Sequence, residues 1–280
     1  MTTAQLCAKR IFRPRLTLSL HRFTIHFSSG SLPGADRDLL VERSGPCVVL
    51  TLNRPEKRNA LSSSLVDKLL ETVEGASADG TTRLMVIKGK GKAMCSGFDF
   101  SGLEEHSDSD LAVRFIRLEL LLQAIHHAPF STLALVHGGC YGAGADLVAA
   151  CGQRVACPES SAFRLPGLNF GIVLGTRRLA SSVGKDSSRR ILEMSKVFKA
   201  PEAIECGFVT DLVRPLEWDQ VVEEATTAAT SLPVGAQRAM LLQTCGLDTR
   251  DSDLAVLVRS ATVPGLKNRI QDFVQKKRRH

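Results

Sequence analysis

Short apolar runs alternate along the chain with longer segments in which apolar side chains recur every three or four residues. Runs at 40–42 and 48–52 flank the turn residues 44–46 and predict two paired strands. Runs at 84–87 and 132–136 predict two short, buried strands. Two more short strands are expected near 154–156 and 162–163.

Helical periodicity covers residues 62–73, with Ser62 or Ser63 as the expected N-cap, and residues 111–125. Another helix is expected to open near Gly142, directly after a strand. Beyond Gly175 the pattern is mostly helical. The helices predicted there cover 176–183, 187–194, 201–206, 221–231, 234–242 and 253–274. Strands that alternate with helices indicate an α/β fold with a parallel, βαβ-type core.

The chain has 280 residues, of which 44% are hydrophobic, enough for one large core. Residues 1–36 form a predicted leader that is basic and contains no acid before Asp36. Its composition fits a mitochondrial transit peptide, and a disordered N-terminus or a start codon placed too far upstream fits equally. We expect the core in residues 37–215 and a helical region for assembly or ligand covering in 216–280.

The net charge of +7 is concentrated in the leader. Removing its five basic residues from the total of 36 leaves 31 against 29 acids, so the remainder is close to neutral. Aromatic residues are only 5% of the chain. No dense basic surface with interleaved aromatics is therefore predicted, and nucleic acid is not an expected partner.

No apolar run reaches the roughly 18 residues of a membrane span. The eight cysteines form no C-x-x-C pair, and most lie in apolar runs, as buried free thiols do. We therefore expect no metal and a soluble, intracellular protein. It would be cytoplasmic if the chain is bacterial, or in the mitochondrial matrix if the leader is a transit peptide.

Two glycine-rich segments, 95–100 and 138–147, each follow a predicted strand. Segments of this kind expose backbone N–H groups that bulkier residues would cover. Two such donors that converge on one oxygen stabilise a negative charge that develops there. The sequence therefore predicts an oxyanion-binding site built from backbone amides.

Together with residues 52–61 (LNRPEKRNAL) and 203–209 (AIECGFV), these segments resemble the crotonase superfamily, the enoyl-CoA hydratase/isomerase family. The resemblance covers about 39–274 and implies a crotonase-like spiral of ββα units that binds acyl-CoA thioesters. It also implies a homotrimer or a hexamer. No separate cofactor is implied, because CoA is part of the substrate.

By this resemblance, the backbone N–H groups of Phe98 and Ala143 form the oxyanion hole. Neighbouring residues in the same segments are expected to contact the substrate; they are Ser96, Gly97 and Gly142. CoA is expected along Arg54, Lys57 and Ala60, and under a C-terminal segment that carries Phe273 and Lys276. The alternative for residues 276–279 is a solvated tail.

The resemblance also implies two glutamates in the hydratases, one on the helix after the second glycine-rich segment and one in a P-E stretch that follows a short strand. Here the corresponding positions carry Asp146 and Gly167, so the second acid is missing. Asp146 is a catalytic candidate, and its alternative role is to stabilise the start of a helix. Glu119 is a possible substitute acid, or else a partner for Arg117 or Arg114 or a solvated residue.

Hydration needs one group to orient water and another to deliver the α-proton. A single carboxylate suffices for double-bond isomerisation, which is the favoured reaction. The alternatives are a malonyl-type acyl-CoA decarboxylase, an acyl-CoA hydrolase and a non-catalytic acyl-CoA-binding paralogue. Tyr141, beside the second glycine-rich segment, is a possible contact to the substrate.

Overall fold

The structure is a computed structural model that describes residues 38–246 and 248–279, so the predicted leader lies outside the described residues. The strands within this part are β1 (Leu39–Ser44), β2 (Cys47–Leu52), β3 (Leu84–Gly89), β4 (Ser131–Val136), β5 (Gly139–Tyr141), β6 (Gln153–Ala156), β7 (Ala162–Arg164), β8 (Phe198–Lys199) and β9 (Asp211–Leu212). The helices are α1 (Ser63–Ala78), α2 (Asp108–His126), α3 (Ala143–Ala150), α4 (Thr176–Val183), α5 (Lys185–Met194), α6 (Ala200–Glu205), α7 (Trp218–Ser231), α8 (Val234–Thr244), α9 (Arg250–Ala261) and α10 (Leu266–Arg279).

The larger sheet contains six strands in the order β1-β2-β3-β4-β6-β9. β1 and β2 form the predicted antiparallel pair, with Leu39 opposite Leu52. From β2 onward, each strand runs parallel to its neighbour. The predicted parallel core is therefore confirmed.

Both faces of this sheet are covered, which explains why its strands are almost continuous apolar runs. In β2, Val48, Leu50 and Leu52 join the main core. Cys47 and Val49 point to the other face, where α7 packs against them. A strand that is buried on both faces has no position for a solvated side chain.

The two long helices near the cavity begin where the sequence predicts or close to it. Ser62 caps α1, because its hydroxyl accepts a hydrogen bond from the N–H of Leu65 at 3.3 Å. α2 begins with a capping box in which Ser107 and Asp110 satisfy each other's backbone N–H groups. α2 packs against α1 on one side and against α3, α9 and α10 on the others. This central position lets α2 form one wall of the candidate site.

A second, smaller sheet has the order β5-β7-β8. β5 is parallel to β7, and Tyr141 lies opposite Arg164 in the register of the pair. Strands β5, β8 and β9 have only two or three residues. Segments this short carry no periodic signal of their own, so the sequence did not predict them.

The single helix predicted over 253–274 was wrong, because the chain turns between α9 and α10. Pro264 has no backbone N–H to continue a helix, and Gly265 adopts a left-handed conformation with φ of 81°. The carboxylate of Asp108 then accepts hydrogen bonds from the N–H groups of Gly265, Leu266 and Lys267. The turn folds α10 back onto α2.

No helix in the described part of the chain combines the length and the apolar character that a bilayer span requires. The described cysteines are all free thiols, and most of them are buried.

Candidate active site

The two glycine-rich segments lie side by side. Cys95 forms a parallel bridge with Cys140, and the N–H of Tyr141 donates to the carbonyl oxygen of Cys95 at 3.0 Å. Gly97 has φ of 90°, and a Cβ there would collide with the carbonyl oxygen of Tyr141. Only a glycine allows the two backbones to approach this closely.

The backbone N–H groups of Phe98 and Ala143 are the two predicted donors. Leu61 bonds to the carbonyl oxygen of Gly97 and to the N–H of Asp99, so the backbone groups of Phe98 point away from Leu61. Ala143 is the first residue of α3 and follows Gly142, which has φ of 53°. Within the described residues, neither N–H donates to a backbone oxygen. Phe98 and Ala143 line the same cavity.

This site cavity has a volume of about 250 Å³. That is slightly below the roughly 300 Å³ at which ligand pockets commonly begin. Its walls are mostly apolar, and five phenylalanines contribute to them: Phe98, Phe100, Phe115, Phe170 and Phe273. Polar side chains enter at a few points: Ser96, Tyr141, Asp146, Arg164 and Thr176.

Asp146 is the acid of the site cavity and is only 5% exposed. Burial raises the pKa of Asp146 to about 8; the charge of Arg178 opposes this rise, and that of Glu119 adds to it. Its Oδ1 atom is buried and has no hydrogen-bond partner in the described structure. This atom therefore does not make the capping hydrogen bond that the alternative role of Asp146 in stabilising the helix start would lead us to expect.

Gly175 explains how Asp146 fits in this position. Gly175 precedes α4 with φ of 65°, and a Cβ there would collide with Oδ1 of Asp146. The next residue, Thr176, has a buried hydroxyl that also lacks a hydrogen-bond partner within the described residues. The backbone at the start of α4 therefore packs directly against the carboxyl group of Asp146.

Glu119 is only 1% exposed and is not among the residues that line the site cavity. Its carboxylate accepts hydrogen bonds from Nη1 and Nη2 of Arg178 at 3.0 and 2.5 Å, and Gln123 donates to it as well. The expected pairing with Arg117 or Arg114 was wrong, because Arg117 pairs with Asp67. The structure gives no support to Glu119 as a substitute acid.

Among the described residues that line the site cavity, there is no second acid beside Asp146. Gly167, which stands where the resemblance implies a glutamate, lines the site cavity beside Leu165 and Pro166. The wall continues with apolar side chains, including Ile172 and Leu174. Asp146 is therefore the acidic side chain that can carry a proton within the cavity.

The predicted CoA segment adjoins the first glycine-rich segment, because the N–H of Ser96 donates to the carbonyl oxygen of Arg58 at 2.9 Å. Arg54 is already paired with Asp99 at 2.9 Å and with Asp38 at 3.2 Å, and it also binds the carbonyl oxygen of Ala60. Lys57 is exposed. Of these basic residues, Lys57 is the one placed to meet a phosphate in solution.

Asp99 connects Arg54 to the first glycine-rich segment. Burial alone would raise the pKa of Asp99, but hydrogen bonds from Ser101 and Arg54 outweigh it and lower the pKa. Arg54 therefore anchors the loop that carries the N–H of Phe98.

At the C-terminal end, Phe273 lines the site cavity and its ring lies 5.0 Å from that of Phe170. Lys276 is exposed on the same helix and does not line the cavity. The role of Lys276 in CoA binding stays a prediction.

Sequence reasoning missed two features of this site. Arg164, in β7, lines the cavity. Arg178 is buried, pairs with Glu119 and is close enough for its charge to act on Asp146. Arg164 carries no motif, so its place is evident only from the pairing of β5 with β7. Arg178 did have a weak sequence signal. It lies in the first turn of the predicted helix 176–183, and an arginine that is buried in a helix needs an acidic partner.

The family described as enoyl-CoA hydratase/isomerase matches residues 42–252. This chain belongs to that family. Among solved structures, a Bordetella parapertussis protein assigned to the enoyl-CoA hydratase/isomerase group has 43% identity and a TM-score of 0.83, over 85% of this chain and 99% of its own. The predicted fold, a crotonase-like spiral, is thereby confirmed.

Curated relatives have lower identity. Escherichia coli 2,3-dehydroadipyl-CoA hydratase is 32% identical over 72% of this chain and 80% of its own length. The echA6 protein of Mycobacterium leprae, which carries an enoyl-CoA hydratase name, is 34% identical over 57% of this chain. That match spans 65% of the length of the mycobacterial protein.

Proposed function

We propose that this chain acts on acyl-CoA thioesters by stabilising a thioester enolate, with double-bond isomerisation as its reaction. The observation that carries the proposal is that one acid, Asp146, lines the same largely apolar cavity as Phe98 and Ala143, whose backbone N–H groups donate to no backbone oxygen in the described structure. That set of groups suits a proton shift within one substrate.

The thioester oxygen would accept hydrogen bonds from the N–H groups of Phe98 and Ala143. As the α-carbon loses its proton, negative charge moves onto that oxygen, where each fixed donor stabilises it by about 3 kcal/mol. The N-terminal end of α3 adds a favourable dipole at the same point.

In the proposed reaction, the ionised form of Asp146 removes a proton from the α-carbon of a 3-enoyl thioester. Because burial raises the pKa of Asp146 to about 8, this form is the minor one at neutral pH and its share increases as the pH rises. The electron pair passes into a dienolate held by the two amides. Asp146 then returns the proton to the γ-carbon, which moves the double bond into conjugation and restores the carboxylate. No oxidant, water or second acid is required, in agreement with the apolar wall at Gly167.

Decarboxylation is the second candidate. The high pKa of Asp146 keeps its carboxyl protonated over most of the neutral range, so it can supply a proton to an enolate formed by loss of CO2. Mouse ethylmalonyl-CoA decarboxylase is 29% identical over 69% of this chain and 61% of its own length, which supports this alternative.

Exchange of α-protons in D2O tests the proposal. With butyryl-CoA followed by NMR, we expect the wild-type protein to exchange the α-CH2 signal and Asp146→Asn to lower the rate by about 100-fold or more. Asp67→Asn, which removes an acid that pairs with Arg117 and does not line the site cavity, serves as the control and should exchange normally.

Unchanged exchange in Asp146→Asn would contradict the assignment of Asp146. Bound butyryl-CoA without exchange in the wild-type protein would instead favour decarboxylation. Loss of CO2 from ethylmalonyl-CoA would then identify that activity, whereas its absence would leave a binding paralogue.

A further inference from the structure

Arg164 brings a positive charge to a cavity that is otherwise largely apolar. Among the residues that line the site cavity, Arg164 is the basic one and Asp146 the acidic one. The Nε–H of Arg164 donates to the carbonyl oxygen of Ser195 at 2.7 Å. This bond holds the guanidinium in place and leaves both Nη groups for another partner.

Within the described residues, Arg164 differs from other arginines near the glycine-rich segments and helix α4 in having no ion-pair partner. Two other arginines described above are paired, Arg54 with Asp99 and Arg178 with Glu119. No acidic side chain in the described part of the chain lies within ion-pair distance of Arg164. A cation that is partly desolvated by apolar walls is stabilised when an anion joins it.

Tyr141 supplies a second donor next to Arg164. The two residues lie opposite each other in the β5–β7 register, and both line the site cavity. Within the described residues, the Tyr141 hydroxyl has no hydrogen-bond partner. The N–H of Gly142 donates to the carbonyl oxygen of Arg164 at 2.8 Å, so this pair is fixed beside Ala143.

A planar guanidinium with a neighbouring phenol matches the geometry of a carboxylate. We propose that Arg164 and Tyr141 bind a carboxylate carried by the acyl group, which makes carboxyacyl-CoA thioesters the substrate class. The inference rests on the proposed function, since it assumes that the thioester oxygen lies at the amides of Phe98 and Ala143.

The test compares two thioesters with the same number of acyl carbons, succinyl-CoA and butyryl-CoA, by isothermal titration calorimetry. Loss of the bidentate pair in Arg164→Gln should weaken succinyl-CoA binding by about tenfold or more, and butyryl-CoA binding should stay within about twofold. Arg190→Gln removes an exposed arginine of α5 and should change neither affinity. Arg164→Lys, which keeps the charge but loses the fork, should give an intermediate loss for succinyl-CoA.

Equal losses for both thioesters would overturn the inference and assign Arg164 to the phosphates of CoA. Unchanged binding of succinyl-CoA by a folded Arg164→Gln would overturn it as well. Butyryl-CoA distinguishes this failure from that of the proposed function: if the wild-type protein binds and exchanges butyryl-CoA, the proposed function stands whatever Arg164 does. If neither thioester binds, both fail.

Discussion

The carboxyl of Asp146 owes its properties to its surroundings, since an aspartate in water has a pKa near 4. Its position on the first turn of α3 places it under Gly175, away from solvent and with one oxygen unpaired. The buried pair of Arg178 and Glu119 beneath it has no net charge, so the pair offsets only part of the cost of ionising Asp146. The acid therefore holds its proton to a higher pH than usual.

This raised pKa predicts that Asp146 destabilises the protein as pH increases. The unfolded chain releases the proton near pH 4 and the folded chain near pH 8, so between these values the folded state binds more protons. The free energy of unfolding should therefore fall by up to about 1.4 kcal/mol per pH unit from this group. The Asp146→Asn variant should lack this contribution to the pH dependence of the free energy of unfolding.

Thermal melts of wild-type protein and Asp146→Asn between pH 4 and 8 measure the effect. We expect similar melting temperatures at pH 4 and an increasing advantage for the variant toward pH 8, with Asp67→Asn following the wild-type protein. A constant difference across this range would show that the pKa of Asp146 is not raised.

At the scale of elements, the contact between α2 and α10 brings a residue of α10 to the site cavity. Asp108, in the first turn of α2, accepts three N–H groups at the start of α10. The hydrogen bond from Lys267 and those from Gly265 and Leu266 lower the pKa of Asp108. Since α10 contributes Phe273 to the cavity lining, the carboxylate of Asp108 helps to position this side chain.

Asp108→Ala should release the start of α10, because three N–H groups lose their acceptor. We expect a lower melting temperature and weaker butyryl-CoA binding, with faster hydrogen exchange confined mainly to α10. Asp272→Ala, which removes an exposed acid from α10 itself, is the matched control. Exchange in α10 that matched the wild-type protein would show that the helix is held by its apolar contacts alone.

Across the whole molecule, apolar side chains remain exposed on the C-terminal helical region. Leu216 is 96% exposed, and Met240 and Leu242 are 44% and 52% exposed. The same region is attached firmly to the sheet, since buried Gln237 of α8 bonds to Arg83 and Ser131. Exposed apolar residues on a fixed support are typical of an interface between subunits.

The family resemblance predicts a trimer or a hexamer in solution, which sedimentation velocity measures directly, and we propose these exposed apolar residues as part of the interface. A Leu216→Asp, Met240→Asp double variant should dissociate to smaller species, because burying two carboxylates at an apolar interface is costly. Val41→Asp, at an exposed site on β1, is the control. A wild-type monomer would contradict the predicted assembly.

Local sequence patterns were enough to predict the longer strands and helices of the core and the places where backbone donors are available. The buried strands β2, β3 and β4 and the capped helix α1 followed from apolar periodicity and from Ser62, because these signals are local. The glycine-rich segments were informative because a glycine marks a place where the backbone itself must come close to something.

The partners of the polar side chains, in contrast, became evident only from the tertiary structure. The pairing of Glu119 with Arg178 joins residues from α2 and α4, and the place of Arg164 depends on strands of two or three residues. The turn at Pro264 and Gly265 brings α10 back to Asp108 across more than 150 positions of sequence. Such contacts depend on how elements pack, and the energy of a buried charge depends on everything that excludes water around it. Local sequence carries neither quantity, so the identity of the acid was predictable while its pKa and partners were not.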